Sequence, residues 1–227
     1  MTYVGHPLAD VIPVDPDKAK ARTELRVPAG SRVVALLPGS RRSELHYMAD
    51  LFVLTARRLL QDLPDAYFVC PTASRATREL FEEALRRHEA KDLPLTLLFG
   101  HSHEALAAAD IALVASGTAT LETALFKTPM VIAYKQSPFT WALMRRMLYL
   151  DNIGLPNILA GEAVVPEFVQ EKATPGNLAN ALLELAHDAG AQRRQIEKFH
   201  GIHATLRQDT AHKAADAVLA VLDAGRA

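Results

Sequence analysis

Short apolar runs alternate along the chain with longer segments in which apolar residues recur at helical spacing. The first run, residues 33–37, is fully apolar and ends at Pro38-Gly39, as expected for a strand buried on both faces. The segment that follows carries one apolar helical face, made of Leu45, Met48, Phe52, Ala56, Leu59 and Leu63. The same alternation predicts further strands at 66–70, 95–99, 111–115 and 130–134 and helices at 80–85, 104–109 and 139–150.

This alternation predicts the fold class. Strands that are joined by single helices must pair in parallel through right-handed crossovers, which gives an α/β, Rossmann-like doubly wound parallel sheet. We expect that domain at 31–190, after a linker segment at 1–30, and we read 154–166 as loop-rich.

Residues 191–227 predict C-terminal helices that add no strand to the sheet. The last helix places apolar side chains on one face, namely Ala211, Ala215, Val218 and Leu222. Such a face requires a partner, which favours association, for example as a homo-oligomer.

Composition restricts the class of function. The chain has 227 residues, of which 49% are hydrophobic and 22% charged, as in globular proteins. Its 25 basic and 26 acidic side chains give a net charge of -1, so no general attraction to nucleic acid is expected. One cysteine excludes an internal disulfide, and we see neither a secretion signal nor a stretch of roughly 20 apolar residues. These features favour a cytoplasmic location.

The most informative motif follows the predicted strand at 111–115. Residues 116–122 read Ser-Gly-Thr-Ala-Thr-Leu-Glu, a small-residue turn that opens a helix. Free N–H groups and the positive end of a helix dipole meet there, and Gly117 lets a phosphate approach the main chain. Glu122 lies one turn inside that helix, where it is placed to accept hydrogen bonds from ribose hydroxyls. The alternative is a carboxylate that only complements the helix dipole.

A second turn follows the first strand. Pro38-Gly39-Ser40-Arg41-Arg42 combines a glycine, a hydroxyl able to cap a helix and two guanidinium groups. Arginine suits a diphosphate because its planar fork binds phosphate oxygens in pairs and keeps its charge. The alternative makes Ser40 a cap and both arginines solvated. Because both turns lie at the carboxyl edge of the sheet, we expect them to face one crevice.

Other candidate residues carry weaker signals. Cys70 ends a buried strand and is expected to be a core thiol. His101, His103 and Glu104 resemble a ligand cluster but have no further well-spaced ligand beside them, so we expect no metal site. The apolar segment 139–150 carries two arginines, which is compatible with a core helix or with a helix lying on a bilayer surface.

Four sequence blocks together resemble the lipid-A-disaccharide synthases. They are Val-Gly-His-Pro-Leu at 4–8, Leu-Leu-Pro-Gly-Ser-Arg at 36–41, the 116–122 block and Leu-Pro-Asn-Ile-Leu-Ala at 155–160. The resemblance implies the C-terminal domain of a GT-B fold, which binds a UDP-sugar. It also implies that 2,3-diacylglucosamine passes from UDP to the lipid acceptor 2,3-diacylglucosamine 1-phosphate, without a metal or other cofactor. Peripheral contact with the cytoplasmic face of the inner membrane is a further implication.

The site residues expected from these arguments form one UDP-binding set. Arg41 is expected to stabilise the leaving diphosphate, because negative charge grows on it as the sugar bond breaks. The resemblance adds Asn157 to the same cleft. The full UDP-binding set is Gly39, Ser40, Arg41, Ser116, Gly117, Thr118, Ala119, Glu122 and Asn157.

The resemblance leaves roughly the first two-fifths of such an enzyme without a counterpart in this chain. It implies that the C-terminal helices at 191–227 would pack on that missing N-terminal domain. We therefore expect the general base and the acceptor site to be missing, so that this polypeptide binds nucleotide without turnover. Three alternatives stay open at this stage. They are a non-hydrolysing UDP-sugar 2-epimerase, a non-catalytic nucleotide-binding module and a plain interaction domain.

Overall fold

The computed structural model describes residues 2–137 and 152–224, and these form one six-stranded parallel sheet between two layers of helices. The order of strands in the sheet is β3-β2-β1-β4-β5-β6, so the prediction of an α/β, Rossmann-like doubly wound sheet is confirmed. The strands are β1 (Arg32–Leu37), β2 (Ala66–Thr72), β3 (Leu95–Phe99), β4 (Ile111–Ala115), β5 (Met130–Tyr134) and β6 (Glu167–Val169).

The helices alternate with these strands and continue beyond them. In chain order they are α1 (Pro7–Val11), α2 (Lys18–Glu24), α3 (Arg42–Asp62), α4 (Arg75–Arg87), α5 (Ser102–Ala108), α6 (Thr118–Leu125), α7 (Leu155–Ala160), α8 (Pro175–His187), α9 (Ala189–Leu206) and α10 (Thr210–Ala224). The helix predicted at 139–150 lies outside the described residues. The segment 154–166, which was expected to be loop-rich, contains α7 and leads into β6. Strand β6 has only three residues, which is too short for a recognisable periodicity.

The core lies in two layers, one on each face of the sheet. Alternate residues of β1 supply opposite layers, because side chains alternate along a strand. Val34 and Leu36 pack into the layer formed with α3, α4 and α8. Val33 and Ala35 pack into the layer formed with α5, α6 and α9. The thiol of Cys70 is fully buried and burial raises its pKa, so the expected core thiol is confirmed.

The N-terminal segment is attached to the amino edge of the sheet through Asp110. This carboxylate accepts hydrogen bonds from Lys18 Nζ and Arg22 Nη2, each at 2.6 Å, and from the Val33 N–H at 2.7 Å. Arg22 Nε also donates to the Ala108 carbonyl at 3.0 Å. Helix α2 is thereby fixed to β1 and to the start of β4, as an integral part of the domain.

The C-terminal helices differ from the expected division at residue 190. Helix α9 starts at Ala189 and buries Phe199, Ile202 and Leu206 in the layer that contains α6, so it belongs to the sheet domain. Helix α10 is attached at its first turn, where the Asp10 carboxylate accepts from the Thr210 N–H at 2.8 Å. Four large apolar side chains of α10 are more than half exposed, namely Val218, Leu219, Val221 and Leu222.

A buried basic pair joins three helices on the α6 face. Lys127 follows α6 and donates to the Leu125 carbonyl at 2.6 Å and to His203 Nδ1 of α9. His203 Nε2 donates to the Ala9 carbonyl of α1 at 2.8 Å. Because a carbonyl only accepts, the proton lies on Nε2, which leaves Nδ1 as the acceptor for the Lys127 ammonium.

Candidate functional site

The site lies where the chain leaves the two central strands in opposite directions. Strands β1 and β4 are neighbours, with Leu37 opposite Val114 at their carboxyl ends. The chain continues into α3 on one face and into α6 on the other, which is the point where doubly wound sheets bind ligands. A cavity of about 410 Å³ opens there. It is lined by Leu37, Gly39, Ser40, Arg41, Glu44, Pro71, Thr72, Ala73, Gly100, Ser102, Ala115, Ser116, Gly117, Thr118, Ala119 and Glu122.

The turn between β1 and α3 is held by a carboxylate from inside the helix. One oxygen of Glu44, Oε2, accepts from the N–H groups of Ser40 at 3.0 Å and Arg41 at 3.2 Å. Gly39 has φ +119°, and a Cβ on it would lie 2.7 Å from that same oxygen. Arg41 is the N-cap residue of α3, so Ser40 does not have the capping position that the sequence allowed.

Arg41 presents its charge to the cavity. Its side chain is 80% exposed, and Nη1 lies 3.7 Å from Glu44 Oε1, a loose ion pair that leaves the guanidinium fork accessible. The same Glu44 charge acts on the phenol at the end of β5: burial, and then Glu44, raise the pKa of Tyr134. Glu44 therefore acts both on the Arg41 guanidinium and on the Tyr134 phenol.

The turn between β4 and α6 presents an uncapped helix start. Gly117 is the N-cap residue, with φ +154° and ψ -163°, a backbone conformation that is almost restricted to glycine. The N–H groups of Thr118 and Ala119 have no acceptor among the described residues. Together with the helix dipole they give this part of the cavity wall a positive potential that suits an anion.

Two further residues of the 116–122 block lie beside that helix start. Ser116 Oγ donates to the Ile153 carbonyl at 3.1 Å, which ties the junction to the segment that leads into α7. Glu122 is half-buried and lines the cavity, and its carboxylate has no partner among the described side chains and N–H groups. It is thus an acceptor without a donor, close to an anion site.

Asn157 does not belong to this set, and the expectation that it lines the cleft is corrected. The side chain is 1% exposed and is absent from the cavity wall described above. Its Nδ2 donates to Glu167 Oε1 at 2.7 Å and to the Val165 carbonyl at 2.8 Å. Its Oδ1 accepts from the N–H groups of Val164 and Val165. With both ends of its amide saturated, Asn157 fixes the α7–β6 connection.

Several cavity residues were not identified from the sequence. Glu44 was hidden because its role depends on a backbone turn, although an acid three residues after the N-cap is a recognisable capping signal. The others lie at or just after the carboxyl ends of β2 and β3, and the order of strands that brings them here cannot be predicted from the local sequence pattern. They are Thr72, Ala73, Gly100 and Ser102.

The described residues contain no cluster of His, Cys, Asp or Glu suited to a metal ion. His101 Nδ1 instead pairs locally with Glu104 Oε1 at 3.3 Å. No helix in the described ranges is both long enough and apolar enough to span a membrane.

Solved structures with this architecture define the fold class of the protein. The C-terminal domain of a group 1 glycosyltransferase, LpcC from Francisella tularensis, matches with a TM-score of 0.58 at 13% identity, over 87% of this chain and 96% of that one. WaaG, a glycosyltransferase involved in lipopolysaccharide biosynthesis, matches with a TM-score of 0.59 at 14% identity, over 93% of this chain and 53% of that one. The fold is that of the C-terminal domain of GT-B glycosyltransferases.

The sequence defines the family within that class. The family model for lipid-A-disaccharide synthetase matches residues 1–221, and the chain belongs to this family. Lipid-A-disaccharide synthases of Azoarcus sp. and Methylobacillus flagellatus are 53% and 48% identical over 98% of the chain. The chain spans 57% and 59% of their lengths, respectively.

Proposed function

We propose that the chain provides the donor-nucleotide site of a glycosyltransferase of lipid A biosynthesis. The proposed reaction moves 2,3-diacylglucosamine from UDP to 2,3-diacylglucosamine 1-phosphate and yields the lipid A disaccharide and UDP. The observation that carries the proposal is the single cavity in which Arg41, the uncapped start of α6 and Glu122 lie together, in a member of this family. Family membership also disfavours the epimerase alternative.

The parts of UDP match the parts of the cavity. We place the diphosphate between the Arg41 guanidinium and the N–H groups of Thr118 and Ala119, where positive charge converges. The ribose then lies one helical turn further along α6, beside Glu122. The base fills the remaining part of the cavity, which is lined by Thr72, Ala73, Gly100 and Ser102.

This arrangement stabilises a leaving group. When the bond between the sugar and UDP breaks, negative charge accumulates on the β-phosphate. A guanidinium and helix N–H groups that are already in place stabilise that charge more strongly than they stabilise the bound donor, so they lower the barrier. Arg41 is therefore the proposed catalytic residue of this chain.

The acceptor chemistry is proposed to lie elsewhere. Two carboxylates line the cavity, and Glu44 is engaged with the β1–α3 turn while Glu122 is assigned to the ribose. We assign the general base and the acceptor site to the part of the longer relatives that this chain does not span. Because donor and acceptor carry acyl chains, we place the reaction at the cytoplasmic face of the inner membrane, with peripheral contact.

The test is the affinity of the chain for UDP, with Arg41→Ala and the neighbouring Arg42→Ala compared by calorimetry. Both arginines are exposed at the start of α3, but only Arg41 lines the cavity. We expect Arg41→Ala to weaken UDP binding by about 10- to 100-fold, the size of a charge-assisted contact, and Arg42→Ala to leave it unchanged.

Equal affinities for the two arginine variants would refute the role of Arg41. The chain incubated with donor and acceptor should bind UDP and form no disaccharide. Measurable disaccharide formation would refute the assignment of the general base to the relatives' additional segment.

A further inference from the structure

The β1–α3 turn combines features that direct phosphate contact alone does not explain. Glycine after a strand commonly lets a ligand phosphate reach the main chain. Here the space next to Gly39 is taken by Glu44, whose Oε2 and Cβ lie 2.7 Å and 2.9 Å from where a glycine Cβ would be. Gly39 therefore accommodates a carboxylate of the protein.

The main-chain donors of this turn are also occupied. The N–H groups of Ser40 and Arg41 both point at Glu44 Oε2, at 3.0 Å and 3.2 Å. A phosphate cannot use these donors while the carboxylate holds them. The positive charge that the turn offers to a ligand is thus confined to the Arg41 side chain, which is 80% exposed.

A carboxylate at this position carries an electrostatic cost. Glu44 lines the same cavity as Arg41 and would repel a diphosphate there. Its charge is offset by the two N–H groups and by the guanidinium 3.7 Å away. Glu44 therefore binds the main chain of the turn and the Arg41 guanidinium, and it is not suited to contact the phosphates.

We propose that Glu44 is a positioning residue for nucleotide binding: it fixes the Gly39–Arg41 turn so that the Arg41 guanidinium is presented to the diphosphate. This inference rests on the proposed UDP site. In the absence of Glu44 the turn would sample other conformations, and UDP binding would have to order it, which lowers the affinity. The effect should depend on an acceptor oxygen at this position and not on negative charge.

Two variants separate these contributions. Because one oxygen accepts both N–H bonds, Glu44→Gln can reproduce them through its amide oxygen while it removes the charge. Glu44→Ala removes the acceptor and the charge together. The full 227-residue chain is used, and circular dichroism monitors the fold of each variant.

Amide hydrogen exchange tests the turn without any ligand. We expect the N–H groups of Ser40 and Arg41 to exchange at least about tenfold faster in Glu44→Ala than in the parent chain, and at the parent rate in Glu44→Gln. Unchanged exchange in Glu44→Ala would overturn the proposal, whatever the ligand data show.

Calorimetry with UDP and with uridine tests the consequence for binding. We expect Glu44→Ala to bind UDP about tenfold or more weakly and uridine as the parent does, because only the diphosphate meets Arg41. Glu44→Gln should bind UDP as tightly as the parent or more tightly. Parent-like UDP binding by Glu44→Ala, or an equal loss in Glu44→Gln, would contradict the inference. A parent chain that binds no UDP would instead refute the proposed function.

Discussion

The unpaired carboxylate of Glu122 is suited to bind a ligand that donates hydrogen bonds. This carboxylate lines the cavity and has no donor among the described residues, whereas the carboxylate of Glu44, which lines the same cavity, accepts two N–H bonds. An acid so far inside a helix gains little from the helix dipole, which acts mainly within the first turn. Two vicinal hydroxyls of a ribose would supply the donors that Glu122 lacks.

We expect Glu122→Gln to weaken UDP binding by about tenfold, because a charged acceptor of hydroxyl hydrogen bonds becomes a neutral one. The same substitution should change the affinity for 2′-deoxy-UDP much less, since one of the two hydroxyls is already absent. Calorimetric titration of UDP and 2′-deoxy-UDP into the parent chain and into Glu122→Gln measures how far the effect of the substitution depends on the 2′-hydroxyl. Glu184→Gln, on the exposed side of α8, is the matched control. A loss of equal size for both ligands would argue against ribose recognition.

At the residue scale, the sequence predicted that the 36–41 and 116–122 blocks lie close together, but it did not predict every contact that their residues make. The 36–41 and 116–122 blocks lie on one cavity wall because carboxyl ends of parallel strands share an edge, a rule that needs no coordinates. The close approach of Glu44 to Gly39 was not predicted, because it depends on the backbone conformation of the turn. Asn157 was misassigned because its partner Glu167 lies in a strand too short to recognise.

At the scale of elements, α2 depends on one carboxylate. Asp110 joins Lys18 and Arg22 of α2 to the β1 N–H of Val33, at the edge of the sheet opposite the cavity. Burial by itself would raise the pKa of Asp110, but the hydrogen bond and charge of Lys18, the Val33 N–H and the charge of Arg22 outweigh it, so the pKa is lowered. A lowered pKa contributes stability at neutral pH that is lost as the solution becomes strongly acidic.

We therefore expect Asp110→Asn to lower the free energy of unfolding by about 2 kcal/mol, because two charged donors lose their anionic acceptor. Asp65→Asn is the control at the same edge. Its carboxylate lies 3.7 Å from Arg32 and is more exposed, so the expected change is about 0.5 kcal/mol or less. Urea unfolding with an unchanged slope measures both. Equal midpoints for the two variants would show that α2 is not held through Asp110.

Which elements were predictable follows from their burial. Strands β1 and β4 are buried almost throughout, so their sequences are continuous apolar runs with glycine turns behind them. Strand β6 is half-exposed over three residues and leaves no such run. The sequence of α9 predicts a helix, but its packing against α6 joins residues far apart in the chain and cannot be predicted from periodicity.

At the scale of the whole molecule, the buried Lys127–His203 pair joins α1, α9 and the end of α6. Burial lowers the pKa of Lys127 to about 8, and it also lowers the pKa of His203. The charges of Lys127, Arg207 and His200 lower the pKa of His203 further, against the effect of its bond to the Ala9 carbonyl. A proton on Nδ1 would remove the acceptor for Lys127 and place two cations in contact.

A histidine whose pKa is lowered by folding makes the native state less stable as pH falls, because the unfolded chain takes up the proton first. We expect the parent chain to lose stability between pH 7.5 and 5.5, and His203→Gln to lose less over this interval. Urea unfolding at both values measures the difference. His212→Gln should instead increase the loss of stability between pH 7.5 and 5.5. The hydrogen bond and ion pair with Asp209 raise the pKa of His212, so this histidine stabilises the native state as pH falls. Identical pH dependence in the parent and His203→Gln would exclude this contribution.

The pairing of β1 with β4 determines when the cavity forms during folding. Leu37 and Val114 are opposite each other in the sheet, yet the whole of α3, β2, α4, β3 and α5 lies between them in the chain. Closing so long a loop is slow, and the two turns that form the cavity come together only when it closes. A chain emerging from the ribosome therefore builds its first strand–helix units without any ligand site. The proposed nucleotide site is assembled only when the fourth strand docks beside the first.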